Sequence, residues 1–167
     1  MQCTNVLWVV RHAAAEHTVG VPDFRRSLRP KGRKQAKRME RWLGTQAQPP
    51  GTIVSSAARR AVETAQHVVR GFGLSDDDLI TCRALYGAGP GTLIEALRRL
   101  PSGTGNAALV GHNPGVSDLV RVLIGSGIGD LPTCGIAVLT FQAPWGDLGP
   151  GTAELALAAT PDGFRER

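Results

Sequence analysis

Apolar residues fall into short runs separated by polar and turn-forming clusters, and two spacings alternate along the chain. Val6, Leu7, Trp8, Val9 and Val10 form an unbroken run rich in β-branched and aromatic types, the pattern of a strand covered on both faces and hence central and parallel. Pro30 suits the first turn of a helix, with Ala36, Met39, Trp42 and Leu43 following at helical spacing and Gly44 as a stop. A PPG turn leads into a short strand at 52–55. The next helix carries Ala61, Ala65, Val68, Val69 and Phe72 on one stripe and closes at Gly71 or Gly73. A brief strand at 79–82 precedes a helix marked by Leu93, Ile94, Leu97 and Leu100, which Pro101 ends. Residues 107–110 read as another fully apolar strand, and a helix over 114–124 begins at Pro114. Strands at 136–141 and 153–158, joined by the turn-rich APWGDLGPGT, pair as a hairpin.

Strands alternating with helices predict an α/β fold: a mostly parallel, doubly wound sheet with helices on both faces and a C-terminal antiparallel hairpin. The length of 167 residues with 42% hydrophobic content suits one domain spanning 1–167. No apolar stretch approaches the roughly 18 residues needed to span a bilayer, and MQCTNVLWVV lacks a basic leader region, so no membrane partner is expected and the cytoplasm is the expected compartment. Cys3, Cys82 and Cys134 are odd in number and far apart, which predicts free, buried thiols and neither a disulfide frame nor a zinc site.

The net charge is +5 and the sequence pI about 9.7, which suits nucleic acid, an anionic surface or a phosphorylated substrate. The densest basic stretch, RRSLRPKGRKQAKR, has no aromatic until Trp42 and so lacks the stacking platform of single-strand binders. Nucleic acid is not the expected partner; a solvated helix face, or a basic rim drawing in an anion, fits better.

Candidate chemistry sits where apolar runs end. In doubly wound sheets, ligands lie beyond the carboxyl ends of the strands. The first strand ends on Arg11 and His12, the second on Ser55 and Ser56 with Arg59 and Arg60 beyond, the fourth on Gly111, His112 and Asn113. If these ends are adjacent, two imidazoles and at least two guanidiniums share a pocket. Arginine is a permanent fork-shaped cation matched to phosphoryl oxygens, and histidine attacks phosphorus or donates to a developing negative oxygen. That set describes phosphoryl transfer without a metal.

The segments VVRHAAAE, SSAARRAVETA and ALVGHNPGVSDLV, in this order and separation, resemble the histidine phosphatase superfamily, which includes the cofactor-dependent phosphoglycerate mutases. The short length, LRPKGRKQA and the GHNPG form are most similar to its small SixA-type phosphohistidine phosphatases. The resemblance implies His12 as nucleophile, Arg11 and Arg60 (rather than Arg59) as phosphate ligands, and His112 as the second histidine holding the phosphoryl oxygens. It implies no cofactor and no metal. The implied activity is a metal-independent phosphatase acting through a phosphohistidine intermediate, with a phosphohistidine-bearing protein as substrate.

Departures from the family pattern bear on the substrate. Ala13 stands where much of the superfamily has glycine. Members that cleave phosphate esters supply a carboxylic acid for the departing alkoxide, either before the fourth strand or just after the second histidine. Here those places read ALYGAGPGTLIEALRRL and Asn113. Glu16 and Asp23, after the first strand, are the remaining donor candidates; with either of them in that role the chain is instead a small-molecule phosphomonoesterase acting on a sugar phosphate or nucleotide. A third alternative, from the high pI, is a non-catalytic phospho-ligand or nucleic-acid binder. Arg26 and Arg29 are rim candidates; His17 and His67 read as a solvated and a packed helical histidine. Ser55 and Ser56 read as backbone caps, since no triad-like partner surrounds them.

Overall fold

The apolar run near the start becomes β1 (Asn5–Arg11), and its alternating side chains enter two different cores: Val6, Trp8 and Val10 one, Leu7 and Val9 the other. This computed structural model describes residues 3–164. The remaining strands are β2 (Thr52–Ser56), β3 (Leu79–Cys82), β4 (Ala107–Gly111), β5 (Ile136–Phe141) and β6 (Glu154–Ala159). They form one six-stranded sheet in the order β3-β2-β4-β1-β5-β6. The β1–β4, β2–β4 and β2–β3 pairings are parallel, and β5 runs antiparallel to both neighbours. Only β5 is therefore reversed, and the expected hairpin is present, with an irregularity between Val138 and Leu139.

Two helices cover each face. α1 (Pro30–Leu43) and α2 (Arg59–Gly71) pack Ala36, Met39, Trp42, Ala61, Ala65 and Val68 against one side of the sheet. α3 (Pro90–Arg98) and α4 (Gly115–Ile124) pack Leu93, Leu97, Val116, Leu119, Val120 and Leu123 against the other. Pro114 is the N-cap residue of α4 rather than its first helical position, and its peptide bond to Asn113 is cis. The thiols differ from expectation: Cys134 is buried and in contact with Met39, Cys82 is partly buried and Cys3 is exposed, and all three are free.

Two close approaches explain glycines in the basic stretch and after the second histidine. A Cβ on Gly32 would lie 1.9 Å from the Ala14 carbonyl oxygen, and one on Gly115 would lie 2.1 Å from that of Ala88. The start of α1 thus presses on the loop that follows β1, and the start of α4 on the loop before α3. Both loops border the carboxyl end of the sheet, where register matters: Arg11 pairs with Gly111, and Ser55 with Val110. Adjacent strands β2, β4 and β1 therefore finish at one level. No helix among the described residues is long and apolar enough to cross a membrane.

Candidate active site

Three strand ends meet in a cleft of about 310 Å³ lined by Arg11, His12, Arg60 and His112. His12 is stitched to both neighbours of β1: its N–H donates to Gly111 O (3.0 Å), and its carbonyl accepts from Cys134 N (3.0 Å). In the side chain, Nδ1 lies 2.7 Å from Ala13 O. A carbonyl only accepts, so Nδ1 carries the proton and Nε2 keeps its lone pair. Burial foremost lowers the pKa of His12 to about 3, aided by His112, Arg60 and Arg11 and opposed by the Ala13 hydrogen bond. The ring is a neutral, oriented imidazole.

The other three groups surround it. The His112 ring centroid stands 5.1 Å from that of His12. Burial, then Arg60, lowers the pKa of His112 to about 4. Its Nε2 is 2.8 Å from Ser56 Oγ, which also accepts from Ala58 N–H; when the Ser56 hydroxyl donates to Nε2, Nδ1 carries the ring proton and faces the cleft as a donor. Arg60 is buried at the start of α2 and donates from Nε toward His12 Nε2 at 3.4 Å. Thr64, one turn on, donates to Arg60 O and accepts from Ala13 N–H, locking α2 to the loop bearing His12. Arg11 donates from Nη1 to Leu131 O (2.9 Å). Arg11 Nε and His112 Nδ1 are buried without a hydrogen-bond partner, an expensive state unless a ligand completes it.

Asp23 organises the rim. Its Oδ2 accepts from Tyr86 Oη (2.5 Å) and Arg60 Nη2 (3.0 Å), its Oδ1 from Arg26 Nε (2.8 Å), and its backbone carbonyl from Arg60 Nη1 (2.7 Å). The Tyr86 hydroxyl first, then Arg26 and Arg60, hold the Asp23 carboxyl well below the usual carboxylate range. Asp23 is thus an ionised clamp on two arginines. Tyr86 also packs edge-on to Phe24 and His112.

Arg26 lines the cleft with its guanidinium fixed by Asp23 and by Glu16 O. Among the described residues neither Glu16 nor another carboxylate lines the cleft itself; Asp23 stands at its rim, held by Arg60 and Arg26. His17 is exposed, yet it lines the cleft and accepts from Arg26 Nη1 (3.1 Å). Arg29 lines it too, its guanidinium without a partner among the described residues. Arg59 points away, with 64% of its side chain exposed, and pairs with Glu63. His67 is half-buried against Glu40, and Ser55 caps the Ser56 carbonyl. Among the described residues no group of three or more His, Cys, Asp or Glu is placed to hold a metal ion.

Sequence reasoning missed four contributors. Tyr86, Leu131 O and Thr133 had no signal of their own. Gln35 did lie within the LRPKGRKQA segment: it accepts from Ala14 N–H (3.1 Å) and donates to Thr133 Oγ1 (3.3 Å), tying α1 to the cleft wall.

Known proteins place this geometry. The family model of the histidine phosphatase superfamily (branch 1) matches residues 7–85. An uncharacterized protein of Mycobacterium tuberculosis H37Rv is 33% identical over 156 residues, covering 87% of this chain and 96% of its own. The solved structure of a candidate phosphohistidine phosphatase SixA from Nakamurella multipartitia is similar at TM-score 0.82 and 25% identity, covering 95% of this chain and 96% of that one. A mycobacterial glucosyl-3-phosphoglycerate phosphatase shares the fold at TM-score 0.69 and 17% identity, over 92% of this chain and 98% of that one. The chain belongs to the SixA-type branch of the histidine phosphatase superfamily and is a phosphatase.

Proposed function

We propose that the protein hydrolyses phosphohistidine in a protein substrate through a covalent intermediate on His12. The observation that carries the reading is the fixed tautomer of His12, with Nδ1–H committed to Ala13 O and an unprotonated Nε2 at the cleft lined by Arg11, Arg60 and His112. The Nε2 lone pair attacks phosphorus while the bond from phosphorus to the substrate ring breaks. Arg11, Arg60 and the His112 Nδ1–H receive the three equatorial oxygens, which fills the two unpartnered nitrogens. Once the free ring nitrogen of the substrate is protonated from solvent, the departing group is a neutral imidazole. No enzyme acid is needed. In the second step water attacks phosphorus, the bond to Nε2 breaks, and His12 leaves as neutral imidazole because Nδ1 has kept its proton; the inorganic phosphate takes up the water's hydroxyl, and the water's remaining proton goes to a phosphate oxygen, so that dihydrogen phosphate departs.

Asp23, the carboxylate bonded to Arg60 and Arg26 at the rim, is held ionised and so has no proton to give a departing alkoxide, which favours this substrate over an ester. The similarity to a candidate phosphohistidine phosphatase adds support. A rapid-quench experiment with radiolabelled phosphohistidine peptide is the test. Acid-labile, alkali-stable label on the protein is expected, absent from His12→Ala, whose turnover falls by about a thousandfold or more. Full turnover by His12→Ala would end the proposal.

A further inference from the structure

The basicity of the chain is local. Residues 29–41 contain seven cations (Arg29, Lys31, Arg33, Lys34, Lys37, Arg38 and Arg41) and one carboxylate, Glu40. That segment carries +6 against +5 for the whole chain, so everything else sums to −1. Glu40 does not neutralise it, because its carboxylate is engaged by His67 and Arg70 of α2. The cations of α1 are exposed, and Lys31, Lys34, Lys37 and Arg38 have no ionic partner among the described residues.

This face adjoins the catalytic cleft. Lys31, Lys34, Gln35 and Arg38 line a second cleft of about 360 Å³, closed on its far side by Pro161 and by Asp162, its single carboxylate among the described residues. Gln35 is the shared wall, since the same side chain bonds Ala14 and Thr133, two residues lining the catalytic cleft. Arg29, at the N-cap of α1, continues the charge into the catalytic cleft itself. A phosphorylated side chain reaching His12 brings the surrounding surface of its own protein over α1. An isolated phosphate, by contrast, is already surrounded by Arg11, Arg60 and His112 and has no use for three cations beyond Gln35.

We infer that the exposed face of α1, centred on Lys31, Lys34 and Arg38, is a docking surface for a carboxylate-rich face of the phosphoprotein substrate; this rests on the reading under Proposed function. Charge complementarity of this kind steers encounter and weakens as salt rises. No aromatic side chain lies among the exposed positions of α1, which disfavours stacked nucleic-acid bases as the occupant.

The test uses two phosphohistidine peptides of equal length, one flanked by glutamates and one by glutamines. For the wild-type protein, kcat/KM is expected to favour the glutamate peptide by about tenfold at low salt, through KM, with the preference shrinking as salt approaches about 0.5 M. In the triple variant Lys31→Gln, Lys34→Gln, Arg38→Gln the preference disappears, while the glutamine peptide is hydrolysed at the wild-type rate. Equal handling of the two peptides by the wild type overturns the docking surface and leaves the substrate reading intact. Failure to hydrolyse either peptide, while p-nitrophenyl phosphate is turned over, overturns both. An oligouridylate that inhibits the wild type but not the variant, with no glutamate preference, assigns the face to nucleic acid and likewise overturns the inference.

Discussion

A histidine that must attack phosphorus has to be neutral, and His12 is kept so by burial next to two arginines and a second imidazole. The pKa values of His12 and His112 are lowered to about 3 and about 4, so both rings are neutral through the range where a free imidazole, near 6.5, becomes charged. The sign of the consequence is fixed: the unfolded chain binds these protons first, so the stability they allow is complete above pH 6.5 and lost as pH falls towards 4. Each histidine contributes a slope of about 1.4 kcal/mol per pH unit within that window. Urea midpoints for the wild type are expected to fall between pH 6.5 and 4, and less steeply for His12→Ala. Equal slopes would mean that His12 is not buried as a neutral ring. Asp23 gives a second prediction. As an ionised clamp on Arg60 and Arg26, its change to Asn should cost roughly tenfold in kcat/KM on p-nitrophenyl phosphate and on a phosphohistidine peptide alike, with Tyr86→Phe reproducing part of the loss. A loss confined to the ester would make Asp23 its proton donor. Arg11, His12 and His112 were legible because they stand where apolar runs stop, whereas Arg60 was set apart from Arg59 by the family resemblance alone. The clamp was not legible, since Tyr86 lies 63 residues from Asp23 and a lone tyrosine after a short strand carries no periodic signal.

At the level of elements, period and punctuation went far: Pro30 opens a helix, Gly44 follows it, and the two hairpin strands pair across their turn-rich connection, although α3 stops at Arg98, short of the Leu100 and Pro101 expected to close it. What periodicity does not encode is how closely two elements approach. Gly32 sits on the buried side of α1 between exposed Lys31 and Arg33, and only the fold reveals that the Ala14 carbonyl occupies the space where its side chain would be. That carbonyl also accepts from Arg29 N–H, one residue beyond the Ala13 carbonyl that orients His12. Gly32→Ala must displace α1 or this loop, at a cost of about 1–3 kcal/mol, and should lower kcat at any substrate concentration as the ring loses its anchor. Gly103→Ala, which meets nothing within 4 Å, is the control. Thermal denaturation and steady-state kinetics on the two variants decide the matter; unchanged activity in Gly32→Ala would dissociate α1 from the positioning of His12.

Across the whole molecule, sheet order separates chemistry from edge. The strands that end at the cleft, β2, β4 and β1, are interior, whereas β3 and β6 close the two sides. β5 contributes through the segment that leads into it, where Leu131 O receives Arg11 and Cys134 N–H reaches His12 O, but β6 lies one strand farther out. Its residues are largely exposed, with Leu155 at 38% and Leu157 at 40%, on a strand with a single charged residue, Glu154. An apolar edge of this kind invites pairing with other chains. Leu157→Lys should therefore raise the concentration at which the protein aggregates, move stability by no more than about 0.5 kcal/mol, and leave kcat/KM within twofold. Light scattering on concentrated samples and peptide turnover provide the two readouts. A folded Leu157→Lys protein with impaired turnover would tie the outer strand to the cleft, against the separation that the strand order imposes.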